Sequence, residues 1–349
     1  MAIVIGCDLH SRFQQVAVLD LETGEVSEHR LEHGEDQKQV REFYARWTEP
    51  VAVAVEATGY SRWFATLMAE LGHRLRVGDA AQLRAMEPRR QKTDRRDALL
   101  LARVVASGRF PDIWVPEPKR CDLRHLILHR HRVVRMRTQV RNNLHAVAMN
   151  HGLCRKRALF TAVGLERLKA LSLMPHEQWR CDQLLDLQSQ LSARIEGANR
   201  ELQAEMAAWP ETALLMTHPG VGPVTALAWV AFIGDARRFD SSARLCSYVG
   251  LVPTEASSGG RQRLGSISKQ GNAFLRFVLA EAAQSAAQGD PVLRCFYRRL
   301  AAAKGRARAK VAVARKLAVR MYWMSVRGVA YPDCLKGQHM QVSSTRPMA

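Results

Sequence analysis

A chain of 349 residues, 47% of them hydrophobic, is long enough for two or three domains with buried cores. Lys and Arg total 52 against 33 acids, and the net charge of +19 favours nucleic acid or an anionic membrane surface as partner. No apolar run reaches the roughly 18 to 20 residues of a bilayer span, and seven scattered cysteines without a CxxC argue against a structural zinc site and for reduced thiols.

The opening AIVIGCD reads as a buried strand; Asp8 interrupts its apolar run, and no basic segment of a secretory signal precedes it. QQVAVLDL is a second strand, and the turn ETGE leads to a third, more polar run, VSEHRLEH. Val40, Phe43, Tyr44 and Trp47 have helical spacing. PVAVAVEA is a continuous apolar strand of the kind covered on both faces. SRWFATLMAELG is a helix closed by Gly72, and HRLRVGD is a fifth short strand. The order βββαβαβα over residues 1–110 predicts an α/β domain, with an RNase H-like arrangement among the folds that fit.

Pro111, Pro116 and Pro118 mark a boundary, after which the pattern is helical and very basic. In this segment, 111–210, Arg124, Arg130, Arg132, Arg135, Arg137 and Arg141, followed by Arg155, Lys156 and Arg157, are expected to contact backbone phosphates. His125, His129 and His131 lie among them without a cysteine or carboxylate to complete a tetrahedral set, and read as part of a basic helix face. Leu184, Leu187, Leu191, Ile195, Ala198, Leu202, Met206 and Trp209 form one stripe, suited to a helical hairpin or an intermolecular coiled coil, with burial between subunits favoured. A mostly helical domain is expected over 211–330. Its PGVGPVTA is either a plain tight turn or a hairpin whose N–H groups can face a phosphate. Residues 331–349 are expected to be disordered.

Four acids stand out in the first hundred residues. Asp8 follows an apolar strand and Glu56 closes another, so both can meet at one sheet edge. Asp94 and Asp97 are three apart on a predicted helix and share a face. Each acid also has a plainer use, Asp94 as a helix N-cap with Asp97 three residues on. Converging carboxylates repel, and a hard cation, Mg²⁺ or in its place Mn²⁺, relieves that repulsion. Lys92, Arg95 and Arg96 flank the helical pair and can neutralise phosphates.

The block GLVPTEASSGGRQRLGSISKQGNAFLR places Ser257 and Ser258 before two glycines, with Arg261, Arg263 and Lys269 following. A serine hydroxyl can attack phosphorus if its proton is taken up, and arginines can fork onto phosphate oxygens. No His or Asp lies beside the serines, so the activating group must come from elsewhere.

Taken in order, CDLH, VEATGY, KTDRRDALLLA, MTHPGVGPVTAL, RFDSSARLCSYVGLVPTEASSGG and LGSISKQGNAFLR resemble the IS110-type (IS110/IS116/IS902) insertion-sequence transposases over roughly residues 3–325. The resemblance implies a RuvC-like, RNase H-type N-terminal domain whose DEDD acids fall on Asp8, Glu56, Asp94 and Asp97. It implies next a helical, coiled-coil-bearing linker, and then a mostly helical transposase domain whose essential serine falls on Ser258 or its neighbour Ser257. It further implies Mg²⁺, double-stranded DNA partners, a structured guide RNA in some members, and a homo-oligomer, dimer to tetramer, working in the cytoplasm at the nucleoid. The opening CDLH departs from the family, which often has serine followed by lysine where this chain has His10. A RuvC-like nuclease without serine chemistry and a non-catalytic nucleic-acid-binding protein are the competing readings.

Overall fold

Side-chain alternation along the first strand decides which helix covers which face of the sheet. In the computed structural model, which describes residues 3–59, 61–86, 93–153, 158–255 and 263–336, the chain divides into two units, Met1–Val115 and Pro116–Ala349. The first contains β1 (Ile3–Leu9), β2 (Phe13–Asp20), β3 (Val26–Glu32), α1 (Lys38–Tyr44), β4 (Ala52–Glu56), α2 (Arg62–Glu70), β5 (Arg74–Gly78), α3 (Ala80–Met86) and α4 (Asp94–Ala106). The sheet order is β3-β2-β1-β4-β5, antiparallel through β1–β2–β3 and parallel through β1–β4–β5, the arrangement of an RNase H-like core. The ETGE turn forms as expected, with Asp20 Oδ1 accepting from the N–H groups of Glu22 (2.8 Å) and Thr23 (3.2 Å).

Ile5, Cys7, Val53 and Val55 pack with Phe43, Tyr44, Phe64 and Met68 on the α1–α2 face. Their neighbours Val4, Ala52 and Ala54 pack with Leu101, Ala102 and Val105 of α4 on the other. The closest approach is at Gly6, where a Cβ would stand 1.9 Å from the Ala98 carbonyl oxygen and 2.6 Å from the Ala102 nitrogen. Only glycine lets α4 lie this near β1.

The second unit is built on α5 (Pro118–Asn150), α6 (Ala162–Lys169), α7 (Pro175–Glu205), α8 (Glu211–Met216), α9 (Pro223–Ile233), α10 (Ser242–Val249), β6 (Pro253–Glu255), β7 (Leu264–Ile267), α11 (Ala273–Gly289), α12 (Pro291–Lys304), α13 (Arg306–Arg327) and α14 (Asp333–Lys336). Arg130 reaches Asn199 and His151 reaches Glu177, an inverse order that makes α5 and α7 antiparallel. Leu191 and Ile195 of the α7 stripe are buried with Val133, Val140 and Leu144 of α5, while Leu202 and Trp209 join the larger core. The favoured burial between subunits is therefore corrected: the chain's own α5 covers those positions, and Leu187 alone among the stripe's leucines is exposed. The apolar helix α9 is buried from Thr225 to Ile233 at the centre of the larger core.

The turn before α9 is held by close packing. Gly220 has φ +87°, and a Cβ there would stand 2.3 Å from the Ala286 nitrogen of α11. Beside it lies a buried polar network. Asp290 caps α12 through the Leu293 N–H (2.6 Å), and accepts from the Tyr331 hydroxyl and from Arg320 (3.1 Å). Arg320 also donates to His218 Nε2 (3.2 Å), and His218 Nδ1 donates to the Pro219 carbonyl (2.8 Å). The expected disorder from 331 onward is corrected at its start, because Tyr331 is tied to Asp290 and Cys334 of α14 is buried. Residues 337–349 lie outside the described residues. Among those described, the cysteines are all free, and no helix is long and apolar enough to cross a membrane.

Candidate metal centre and nucleic-acid interface

The Gly6 contact sets the geometry of the acids. Asp8 is two residues beyond Gly6 on the α4 face of β1, and Asp94 and Asp97 occupy the first turns of α4, ahead of Ala98. β1 and β4 run parallel with Cys7 opposite Val55, so Glu56 stands beside Asp8 on the same face. Thr93 is the N-cap of α4, its hydroxyl accepting from the Arg96 N–H at 3.4 Å. The plainer use of Asp94 as that cap is thereby corrected, and Asp94 and Asp97 are left with their charge beside the positive end of the helix.

Asp8, Asp94 and His10 come together, with one donor atom from each lying within 4.8 Å of the others. His10 Nε2 is 3.1 Å from Asp8 Oδ2 and 3.6 Å from Asp94 Oδ2. Burial pushes the Asp8 pKa above the ordinary carboxylate value; the His10 charge offsets part of this, and the Asp97 and Asp94 charges raise it further. Asp97 therefore acts on Asp8 although it lies outside the compact group. Glu56 is also outside it, with Oε1 3.8 Å from Arg84.

His10 is the member that the sequence reading did not assign. Its ring packs at 4.7 Å from Phe13, which in turn lies under the Arg30 guanidinium at 3.7 Å. The signal for it was present as Asp-x-His at a strand end, where both side chains can reach one edge. Two carboxylates, that of Asp8 partly desolvated, with a third close by, and an imidazole nitrogen fit a divalent cation: oxygen donors suit Mg²⁺ and Mn²⁺, and the nitrogen is compatible with Mn²⁺.

The expected phosphate-binding cations separate into groups. Arg95 and Arg96 are exposed at the head of α4, with Arg95 Nε 3.6 Å from Glu28. Arg124 donates to the Ala231 carbonyl at 2.7 Å, and Arg120 donates to Val230 at 2.5 Å, so both cap the C-terminal end of α9. Burial pushes the Arg124 pKa down, and its guanidinium also lies over the Phe232 ring at 4.9 Å. Arg130 is bonded to Asn199 (2.7 Å) and Arg141 lies over Phe160 (4.7 Å). Arg132 and Arg135 are exposed and Arg137 is half-buried on α5. Arg263 and Lys269 are exposed at either end of β7. β6 and β7 pair antiparallel on either side of residues 256–262 in sequence. Lys92, Arg155, Lys156, Arg157, Ser257, Ser258 and Arg261 lie outside the described residues.

Two family models match the chain. The one described as the transposase IS116/IS110/IS902 family covers residues 212–298, and an IS110 DEDD-type transposase model covers 5–150. The chain is 32% identical over 298 residues to a "probable family 20 transposase" of Pseudomonas aeruginosa, spanning 83% of this chain and 84% of that protein. It is 27% identical to the IS1328 transposase of Yersinia enterocolitica over 67% of this chain and 70% of the relative. The IS1111A transposase of Coxiella burnetii is 29% identical over 67% of this chain and 65% of its own length.

Proposed function

Since this chain belongs to the IS116/IS110/IS902 family of transposases, enzymes of phosphoryl transfer on DNA, we propose that it is a site-specific recombinase that excises and inserts a mobile element. The observation that carries this reading is the meeting of Asp8, His10 and Asp94, with Asp97 close enough to disfavour the ionised Asp8. Asp8, Glu56, Asp94 and Asp97 would hold Mg²⁺ or Mn²⁺, and such an ion, when bound, polarises a phosphoryl oxygen and offsets charge at the reacting phosphorus. These residues orient the centre, and exposed Arg95 and Arg96 attract the backbone toward it.

Ser258 is proposed as the nucleophile: its Oγ bonds to a DNA phosphorus, its proton is taken up, and the displaced strand leaves as a hydroxyl end. The phosphodiester energy is kept in the serine linkage for rejoining. Arg261 and Arg263 would oppose charge on the phosphoryl oxygens. The acids of one subunit meeting the serine of another, in a dimer or tetramer with an element-encoded guide RNA, would supply the activating group that the serine block lacks.

The test is a plasmid recombination assay with trapping of the intermediate. Asp8→Ala should abolish strand exchange, by at least about 10³-fold or ~4 kcal/mol of barrier, while DNA binding persists. Denaturing a stopped reaction should leave labelled DNA on a peptide containing residues 254–261. Ser258→Ala should lose both adduct and recombination, and Ser257→Ala should be milder. Protein-free cleaved ends together with an active Ser258→Ala would instead indicate a metal-dependent nuclease.

A further inference from the structure

Between Pro291 and Pro332 the sequence has no Asp or Glu and eleven Lys or Arg. Several of these cations are used within the unit: Arg320 pairs with Asp290, Arg327 donates to the Cys334 carbonyl, and Lys316 lies over Phe296 at 4.6 Å. Arg298, Lys304, Arg306 and Arg308 are exposed and have no carboxylate partner among the described residues. Three of them surround Gly305, where α12 gives way to α13. Helix stability does not account for this placement. Arg306 and Arg308 stand in the first turn of α13, where the helix dipole favours acids, and Gly305 offers no side-chain cap. Charge placed against a local rule, with no compensating contact, points to a ligand of opposite sign.

The same corner is concave. A cleft of about 540 Å³ lies among α11, α12 and α13, lined by Gln284, Tyr297, Arg306, Ala307 and Lys310. That volume is within the ~300–1,000 Å³ of ordinary ligand sites. It has room for one unstacked nucleotide. Lys310 is held on its wall by Glu281 at 2.6 Å. Tyr297 offers an aromatic ring for a base, a sequence-tolerant contact found in single-strand binding. Gln284 offers both a donor and an acceptor.

We propose that this cleft seats one unpaired nucleotide of a single-stranded DNA segment, with its base against Tyr297 and the flanking phosphates on Arg306 and Arg308. DNA is the strand assigned because the family acts on DNA and strand exchange leaves unpaired DNA. The proposal rests on the family and is independent of the metal and serine assignments.

Fluorescence anisotropy of the full chain in EDTA tests it, with labelled oligo-dT, a DNA duplex and oligo-U as probes; without metal, failure of the recombinase mechanism leaves the readout intact. The Arg306→Glu/Arg308→Glu variant should weaken oligo-dT binding at least about tenfold and lower its log–log salt slope by about 1.4, or 0.7 for each lost phosphate. Tyr297→Ala should weaken oligo-dT about fivefold or more and duplex less than about twofold, with Tyr297→Phe restoring binding. In the unaltered protein, 5-iodouracil placed in oligo-dT should crosslink to Tyr297 on irradiation, which holds even if Tyr297→Ala does not fold. Equal losses on duplex and oligo-dT in Tyr297→Ala, a loss confined to oligo-U, or crosslinks confined to other segments would overturn the proposal.

Discussion

Two corners of the molecule join an aspartate to a histidine, and their charge balance is opposite. Burial raises the pKa of Asp8, His10 offsets part of the rise, and the charges of Asp97 and Asp94 add to it. Burial also pushes Asp290 up, yet hydrogen bonds from Tyr331 and the Leu293 N–H and the charge of Arg320 outweigh it, leaving its pKa below the ordinary carboxylate value. Asp290 is the more deeply buried residue, at 1% exposure, and it is the one better satisfied as an anion. The difference separates a site that gains from binding a cation from a clamp complete in itself. In the second unit acid and base are matched, and the product is a fixed turn beside α9. In the first, like charges are gathered, and stability gives way to chemistry.

The largest expected effect breaks the clamp. Arg320→Met leaves Asp290 buried without its cation and should cost about 3–5 kcal/mol, measured by urea unfolding. Replacing both partners, as Arg320→Met with Asp290→Asn, should cost less than the single change. A loss under about 1 kcal/mol in Arg320→Met would remove the contrast between the two corners. Next comes pH. Burial pushes the His218 pKa down to about 4, and its ring accepts from Arg320 in the neutral form. Its contribution is present above the unfolded value of 6.5 and is lost as pH falls from there to about 4. The 2.5-unit gap is worth about 3 kcal/mol. His218→Gln should flatten the stability profile over that window, and an unchanged profile would show that other groups set it.

The first unit was legible in its strands because side-chain alternation and turn residues are local. The α7 stripe was legible as a buried face, but not as to what buries it: helical spacing carries no record of its partner, which proved to be α5. Asp8 and Asp94, which the structure brings together, were legible from strand-end position and helical spacing. His10 was legible only in part: Asp-x-His at a strand end is a local signal, but its meeting with Asp94 depends on α4 arriving over Gly6 from nearly a hundred residues away. Arg124 and Arg132 share one helix and look alike in sequence. The Ala231 carbonyl and the Phe232 ring, brought from a distant helix, engage the first, and the second is exposed.

A smaller change sharpens the comparison at Gly6. In Gly6→Ala the new methyl meets the Ala98 carbonyl and the Ala102 nitrogen, both backbone atoms, so α4 must shift away from β1. The strain should cost about 1–3 kcal/mol. Asp94 and Asp97 move with the helix, so Mn²⁺ affinity, followed by the loss of free-ion electron paramagnetic resonance signal, should fall at least about tenfold. Full affinity in a folded Gly6→Ala would mean that α4 does not position the acids.

The smallest expected effect has the opposite sign. With a folded-state pKa above its unfolded value of 3.8, Asp8 binds its proton more tightly in the folded chain. Stability therefore falls as pH rises from the unfolded to the folded value, and the ionised residue is a net burden at neutral pH. Asp8→Asn removes that charge and keeps the shape, so the metal-free variant should be more stable at pH 7 by less than about 1 kcal/mol, the scale of a partly exposed charge pair. The gain should vanish as pH drops below 3.8, where Asp8 is protonated in both states. Added Mn²⁺ should raise the melting temperature of the unaltered chain and leave that of Asp8→Asn unchanged, reversing their order. If metal-free Asp8→Asn melts below the unaltered chain at pH 7, Asp8 is a stabilising residue like Asp290, and the two corners are of one kind.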